Sequence, residues 1–527
     1  MIRHLTITCA IVSKGIYQFS YISSDVKQKW ENDIDLTEDE VQQLISDNPQ
    51  ATGISGRVMT QLRAMKDQGF LIFDNVSSNH PKVTISELGW ELINGKIDAA
   101  TIYTKAMIML QANSPARAKI YNESRPFMNT LFVIKEVNRM WEAMGHEGKG
   151  IHPHEFSTFV LSMKDCNYLQ AAKDIIEYRK KYKHEINYAY LARYLKARNI
   201  LPINENSLRR DYPDDVFRKF EMTGLIVKRG KFSYIYYDFS RYNRGKIDEI
   251  MEAFKDYKFI EYSSQDEYYK AMYSVNIPWE KDMTLKKNII EVKAAVLGIT
   301  LNPSLSYEEN ELMLDRIFST QALNKAIDNV SMEKINKELL ILSGKVKAKS
   351  EYDDISESLR LEYLLALALG KRYGTDGLIS NILYNEDGRP LHCAAAGKCD
   401  IMYYTNDGAY ILEPTMLSGR DQQSNSETTN VARHAREEEQ KLKIGFRVVM
   451  VAPRVHADVA DFFRYKVITD NARLMPLSIE RTVGLINESE TITILNANYD
   501  QLIKLLKEAQ CNVFADTINK YSFSLTN

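Results

Sequence analysis

Acidic side chains in the second half of the chain have types and spacings that could gather a divalent metal ion. Asp400 and Glu413 stand near the two ends of the stretch Cys399-Asp400-Ile401-Met402-Tyr403-Tyr404, Thr405-Asn406-Asp407-Gly408, Ala409-Tyr410-Ile411-Leu412-Glu413-Pro414-Thr415. The stretch reads as a β-hairpin over 398–415. A two-residue I′ turn at Asp407-Gly408 would set Met402 opposite Glu413, with Asp400 its diagonal neighbour; a four-residue loop 405–408 would set Asp400 directly opposite. Both registers keep the carboxylates on one face, within about 5–8 Å at Cβ. Two such acids repel unless a positive charge lies between them, and a hard divalent cation such as Mg²⁺, sharing its ligands with phosphate oxygens, supplies one. The plainer alternative is the solvent-facing polar side of an edge hairpin.

Three further features favour chemistry. Glu362 is the only charged residue in the run Leu361 to Leu369, on a helical stripe with Ile355, Leu359, Ala366 and Leu369. A partly buried lone carboxylate is costly unless paired or metal-bound. Glu427 and His434, seven residues apart, share one face of the helix expected after the hairpin, with Val431 between them; a lone helical histidine more often packs or caps than catalyses, and His434 gains weight only from Glu427 and the nearby acid pair. Arg420, Gln422 and Gln423 bring donors into the link between hairpin and helix, where a phosphate could be gripped.

The elements that position these residues alternate between strand and helix. Helices are expected at 355–369, 426–443 and 455–463, and strands at 446–452 and 474–477. That order predicts an α/β domain over 346–527 with a mixed central sheet. Residues 285–345 read as a polar helical linker. The first half carries one grammar twice: a helix, a glycine stop, then two strands. The first copy runs from the helix Ile54 to Gln68, through Gly69, to strands at Phe70–Phe73 and Val83–Ile85. The second runs from Asp211 to Thr223, through Gly224, to strands at Leu225–Val227 and Phe232–Tyr237 around Arg229-Gly230-Lys231. A helix followed by a polar or basic hairpin is the pattern of a winged helix, a DNA-binding form. The expected domains here are 1–165 and 166–284, one unit in each, and the apolar run Leu5 to Val12 reads as a first strand. Candidate DNA contacts are Arg57, Gln61 and Arg63 on the first helix. Around the second they are Arg209, Arg210, Arg218, Lys228, Arg229 and Lys231, in a segment 193–231 holding ten Lys/Arg and five Asp/Glu. Arg420 and Gln423 complete the set.

An acid on a helix followed by Asp…Glu-x-(Lys) on a hairpin resembles the PD-(D/E)xK nucleases. More specifically, Asp400 and Glu413-Pro414-Thr415, then Arg420-Asp421-Gln422-Gln423, then Glu427 and His434, resemble the AlwI family of type IIS restriction endonucleases, which includes site-specific nicking enzymes. The likeness is clear over 351–477; towards the N-terminus it is architectural and takes in Arg125-Pro126-Phe127. It implies a multi-domain α+β protein whose winged-helix-like N-terminal region reads double-stranded DNA. Its C-terminal restriction-endonuclease-like domain would cut that DNA at a fixed offset, leaving 5′-phosphate and 3′-hydroxyl ends. It implies Glu362, Asp400 and Glu413 as Mg²⁺-site acids, with Glu427 and His434 completing the catalytic centre. One departure stands out: the lysine usual two places after the second acid is Thr415, and His434, a second ion near Glu427, or Gln423 must fill its role.

One such centre cuts one strand. Double-strand cleavage then needs a second copy in a transient homodimer, a small partner subunit, or a second event; a strand-specific nicking enzyme is the nearest alternative. The segment 455–463, with Phe462 and Phe463, is a candidate pairing surface against the alternative of ordinary core packing. A DNA-binding regulator with a ligand-sensing C-terminal domain would have no need for three converging acids. A zinc enzyme fits poorly, since His152-Pro153-His154 reads as a loop and no Cys/His set has ligand spacing.

Composition agrees with this. The 527 residues, 44% hydrophobic and 26% charged, suit several globular domains. No apolar run approaches the roughly 18 residues needed to span a bilayer, and the N-terminus lacks a signal-peptide cleavage pattern. Five cysteines without a CxxC pair fit a reducing cytoplasm, which the family resemblance implies is bacterial. The net charge of −2 conceals a division: residues 350–527 hold 19 Lys/Arg and 25 Asp/Glu, leaving 49 and 45 for residues 1–349. A mildly basic half precedes an acidic one, so DNA is not excluded as a partner.

Overall fold

The computed structural model describes residues 5–6, 23–31, 37, 40, 43, 46–47, 54–77, 82–94, 98–117, 122–183, 185–200, 204–230, 235–353, 355–392, 399–419, 423, 431, 445–508 and 511–520. The chain divides into two compact units, residues 1–314 and 315–527.

In the first unit, the helix Ile54–Asp67 is followed by strands β2 (Leu71–Phe73) and β3 (Lys82–Ile85), paired antiparallel, with β1 (Leu5–Thr6) on the far side of β3. The remainder of the expected first strand, residues 7–12, lies outside the described residues. In the second copy, a π-helical turn Ser207–Asp211 leads into the helix Tyr212–Glu221. The chain stops at Gly224, whose φ of +68° is open to glycine at little cost. It continues as the antiparallel pair β4 (Ile226–Arg229) and β5 (Tyr236–Phe239). Of the expected strand Phe232–Tyr237, residues 232–234 lie outside the described residues; among the described ones the strand starts at Tyr236, and the core takes up Tyr237. Its ring stacks on Phe217 of the helix at 3.6 Å between centroids and meets Phe156 edge-on at 5.4 Å.

The two copies share one core. Phe70 and Leu88 from the first belong to the same buried cluster as Phe217, Phe220 and Ile226 from the second, together with Phe127, Leu131, Ile175 and Ile289. No break in that core falls at the expected boundary near 165. The division between the units, after Leu314, falls within the helical segment 285–345; Ile289, in the helix Met283–Leu297, packs in the first unit's core, and Leu339, in the helix Met332–Leu342, packs in the second's.

The second unit is built on a five-stranded mixed sheet of order β12-β11-β10-β9-β6. Strands β10 (Gly408–Pro414), β11 (Phe446–Ala452) and β12 (Leu474–Ser478) run parallel; β9 (Ile401–Thr405) is antiparallel to β10, and β6 (Leu378–Ser380) to β9. All seven residues of β11 are buried, as a central parallel strand requires. The helix joining β11 to β12 spans Ala457–Thr469, starting two residues later than expected because His456 caps it, accepting from the Asp458 N–H. The helix Glu357–Tyr373 is buried around its whole circumference from Leu359 to Gly370, wider than the single stripe its sequence suggests. It packs on the helix Met332–Leu342, on the helix Ile479–Glu488, and against β9 and β10. Small β7 (Leu383–Tyr384) and β8 (Pro390–His392) form a separate pair.

Candidate active site

The ladder of the β9–β10 hairpin decides its register. Thr405 pairs with Gly408, Tyr403 with Tyr410, and Ile401 with Leu412. Continued by one residue, this sets Asp400 directly across from Glu413, with only Asn406 and Asp407 in the loop. Pairs across an antiparallel ladder share a face. Asp400, Met402, Ile411 and Glu413 therefore lie on one side, and Tyr403, Tyr410 and Leu412 on the other. On that other side Tyr410 packs edge-on against Tyr499 and donates to Asn496 at 2.8 Å.

Each acid is fixed by the backbone that carries it. The Asp400 carbonyl accepts from the Asn381 N–H (3.2 Å), and the Asn381 amide donates to the Cys399 carbonyl (2.7 Å). Asn381 thus fastens the chain on both sides of the Asp400 peptide. Glu413 lies in the middle of the sheet, opposite Met450 on β11, and is 8% exposed where Asp400 is half-buried. Glu362 is buried on the helix Glu357–Tyr373. It faces Tyr384, whose phenol is pushed up by burial, with the negative Glu362 adding to the rise. Thr415, in the place of the usual lysine, is buried; its N–H donates to the Val451 carbonyl (2.8 Å) and its hydroxyl accepts from the Leu417 N–H (3.2 Å).

Among the described residues, no three His, Cys, Asp or Glu side chains come together closely enough to hold a metal ion. The opposed pair Asp400 and Glu413 is nonetheless a donor set of the right chemistry. Mg²⁺ characteristically takes one or two carboxylates and completes its shell with water and substrate phosphate. Glu427, His434, Arg420 and the helix expected around them lie outside the described residues, apart from Val431, which is helical and buried.

Gln423 has a place that its sequence position does not suggest. It is fully buried; its amide donates to the carbonyls of Leu417 (2.7 Å) and Arg454 (2.6 Å) and accepts from the His456 N–H (3.2 Å). All of these are backbone partners, so the side chain braces the link after β10 instead of facing a phosphate. Phe463 is buried in the core and Phe462 packs against it, which answers the choice between pairing surface and core for these two rings.

In the first unit Arg63 and Arg209 are exposed. Arg218 is exposed and paired with Asp214 (3.0 Å), and Lys228 approaches the same carboxylate (3.7 Å). Arg229 is buried, with its guanidinium donating to the Phe239 carbonyl (3.2 Å), so it closes the β4–β5 pair and is withdrawn from any surface. The side chains of Arg57, Gln61 and Arg210, and all of Lys231, lie outside the described residues. Arg125 is also internal: it is 3% exposed and donates to the carbonyls of Ile108 and Lys258. His152 and His154 belong to a helix start. Glu155 accepts from the His152 N–H (2.8 Å) and pairs with Arg179 through two hydrogen bonds of 2.8 and 2.6 Å in the buried interior.

Sequence reasoning missed Asn381 and the group around Arg447. The second had a signal: Arg447 is the lone charge in the strand Phe446–Ala452, as Glu362 is in the run Leu361 to Leu369.

The family model of the AlwI restriction endonuclease matches residues 67–485, across both units. The chain belongs to the AlwI restriction endonuclease family. It is accordingly a site-specific DNA nuclease of a restriction system, acting on double-stranded DNA, in a family that generally uses divalent metal ions. Among solved structures, the small subunit of the heterodimeric restriction endonuclease R.BspD6I is 16% identical, covering 34% of this chain and 96% of its own, with a TM-score of 0.29. Restriction endonuclease FokI is 13% identical, covering 94% of this chain and 96% of its own, with a TM-score of 0.24. No curated protein matches the chain. Among the described residues, no helix of this family member is long and apolar enough to cross a membrane.

Proposed function

We propose that this AlwI-family protein is a type IIS endonuclease that hydrolyses DNA at a fixed distance outside an asymmetric site, with Mg²⁺ as its cofactor. The observation that supports the reading is the β9–β10 register, which, continued one residue past the Ile401–Leu412 pair, would set Asp400 across from Glu413. These two carboxylates would hold the ion, with Glu362 supporting it. When bound, the ion supplies polarisation of a phosphoryl oxygen and acidifies water. His434 would accept the proton of the attacking water at an imidazole nitrogen, its ordinary pKa near 6.5 suiting it to the task. Glu427 would either orient His434 or act on the water directly.

Reading belongs, in this proposal, to the helix-and-hairpin segments 54–85 and 207–239, taken as winged-helix-like units, with Arg63, Arg209 and Arg218 the exposed contacts. Arg57, Gln61, Arg210, Lys228, Lys231 and Arg420 remain candidates. One centre cuts one strand, so a double-strand break would draw on a second copy, a small partner subunit, or a slower second event on the opposite strand, and without any of these the product is a nick. The site of action would be the cytoplasm of a bacterium.

Digesting a plasmid in Mg²⁺ and sequencing the ends tests the proposal. A constant distance from one asymmetric sequence is expected, with 5′-phosphate ends. Cutting inside a symmetric site, or scattered cutting, would contradict it.

A further inference from the structure

Burial alone cannot choose between the two registers of the β9–β10 hairpin. Side chains alternate with a period of two, so sliding one strand by two residues leaves each side chain on its own face. The Asp407-Gly408 dipeptide favours the slid register, in which it forms an I′ turn with positive φ at both positions. There Glu413 would face Met402, and Asp400 would become its diagonal neighbour at roughly 7–8 Å. The observed turn is the other one: Asn406 and Asp407 form the loop, and neither has a positive φ.

The side chain of Asp407 accounts for that outcome. Its Oδ2 accepts from Arg447 Nη2 at 2.9 Å, and its Oδ1 accepts from Asn496 Nδ2 at 2.9 Å and from the Thr405 hydroxyl at 2.8 Å. Arg447 pairs with Tyr410 across the parallel β10–β11 ladder and is 3% exposed. Asp500 lies 3.7 Å from its Nε. The guanidinium is buried and the Asp407 carboxylate is 54% exposed, so the charge-assisted hydrogen bond between them is stronger than a neutral one but partly screened by solvent. The neighbouring Gly408 is fixed as well. A Cβ there would meet the Gly445 carbonyl oxygen at 2.2 Å, and that oxygen accepts from the Ala409 N–H at 3.0 Å. The slid register would require Asp407 to take up a different backbone conformation from the one that meets Arg447.

We propose that the Asp407–Arg447 pair is a register clamp: it holds the turn at Asn406-Asp407 and thereby positions Asp400 opposite Glu413 from the other end of the hairpin, roughly 20 Å away. Asp407 and Arg447 are positioning residues that touch neither metal nor substrate. The proposal rests on the reading of Asp400 and Glu413 as the metal-holding pair.

The test is Asp407→Asn in the full chain, which removes the charge and creates the Asn-Gly dipeptide that most favours the I′ turn. The Mg²⁺ concentration for half-maximal cleavage should rise about tenfold or more, the usual effect of losing a group that orients metal ligands. Excess Mg²⁺ should recover part of the rate. The melting temperature and specific DNA binding in Ca²⁺ should stay near wild type, whereas a merely stabilising pair would lower melting and leave the Mg²⁺ midpoint in place. Arg447→Met keeps the buried stem without the charge and should shift the midpoint in the same way, so the proposal stays testable if the first variant folds poorly. Asp400→Ala is measured alongside. A wild-type Mg²⁺ midpoint in both clamp variants while Asp400→Ala is inactive overturns the clamp alone. Wild-type cleavage by Asp400→Ala overturns the metal-pair reading beneath it.

Discussion

Asp400, one residue before β9, falls across from Glu413 when the β9–β10 register is continued past its last pair, Ile401 and Leu412, yet the two differ in surroundings: Glu413 is 8% exposed on the central strand β10 and Asp400 is half-buried. Glu413→Gln keeps the shape of the buried side chain and should fold as the wild type does, while its cleavage rate falls by roughly 100-fold or more, as expected when a metal-holding group is lost. A variant that loses stability and activity together would place Glu413 in the scaffold.

That pair also shows how much the sequence reveals. Alternation and length placed the hairpin and put both acids on one face, and the run Phe446–Ala452, apolar but for Arg447, marked the central strand to the residue. Choosing between the registers required Arg447, a residue distant in sequence whose partner could not be read from spacing. The same limit explains the first unit. Arg125 and Arg229 look like surface charges, but both are buried against carbonyl oxygens, a fate set by tertiary packing. Gln423 sits in a polar stretch that suggested phosphate, while its true partners are the backbone of Leu417, Arg454 and His456. Local grammar identified the two helix-and-hairpin segments, and only three-dimensional contact shows that they share a core.

Gln423→Ala would strip hydrogen bonds from three backbone groups in the link after β10. Buried polar groups left without partners cost about 1–3 kcal/mol each, less where water can enter. Thermal or denaturant unfolding should show a loss of at least about 1–3 kcal/mol, with specific DNA affinity in Ca²⁺ preserved. Lost affinity at unchanged stability would return Gln423 to the phosphate.

His434→Ala should slow cleavage by about 10²–10⁴-fold if His434 is the general base. The pH profile is the sharper reading. A base must be unprotonated, so the wild-type rate should fall as pH drops below about 6.5, and the variant should lose that limb. An unchanged profile would leave His434 a packing residue.

In the first unit, acid should weaken the fold in two stages. Burial holds His154 down at about 4 against an ordinary 6.5, so the unfolded chain binds a proton that the folded one refuses. Stability is full above pH 6.5 and declines as pH falls towards 4. Glu155 feels an opposing pull from burial, but the Arg179 guanidinium lowers it to about 2 from 4.5. Its contribution is present above pH 4.5 and is lost as pH falls towards 2. Melting temperature measured against pH should decline across both windows, and His154→Gln should flatten the upper one. Arg179→Met, which leaves Glu155 buried without its cation, should cost about 3–5 kcal/mol at neutral pH. A flat melting profile from pH 7 to 4 would contradict the assignment to His154.

The most direct test is cleavage by Asp400→Ala in Mg²⁺, paired with specific DNA binding in Ca²⁺. The variant should bind its site as the wild type does and release no cut strand over hours. Cleavage at the wild-type rate would show that the chemistry does not run through the acids that face each other across this hairpin.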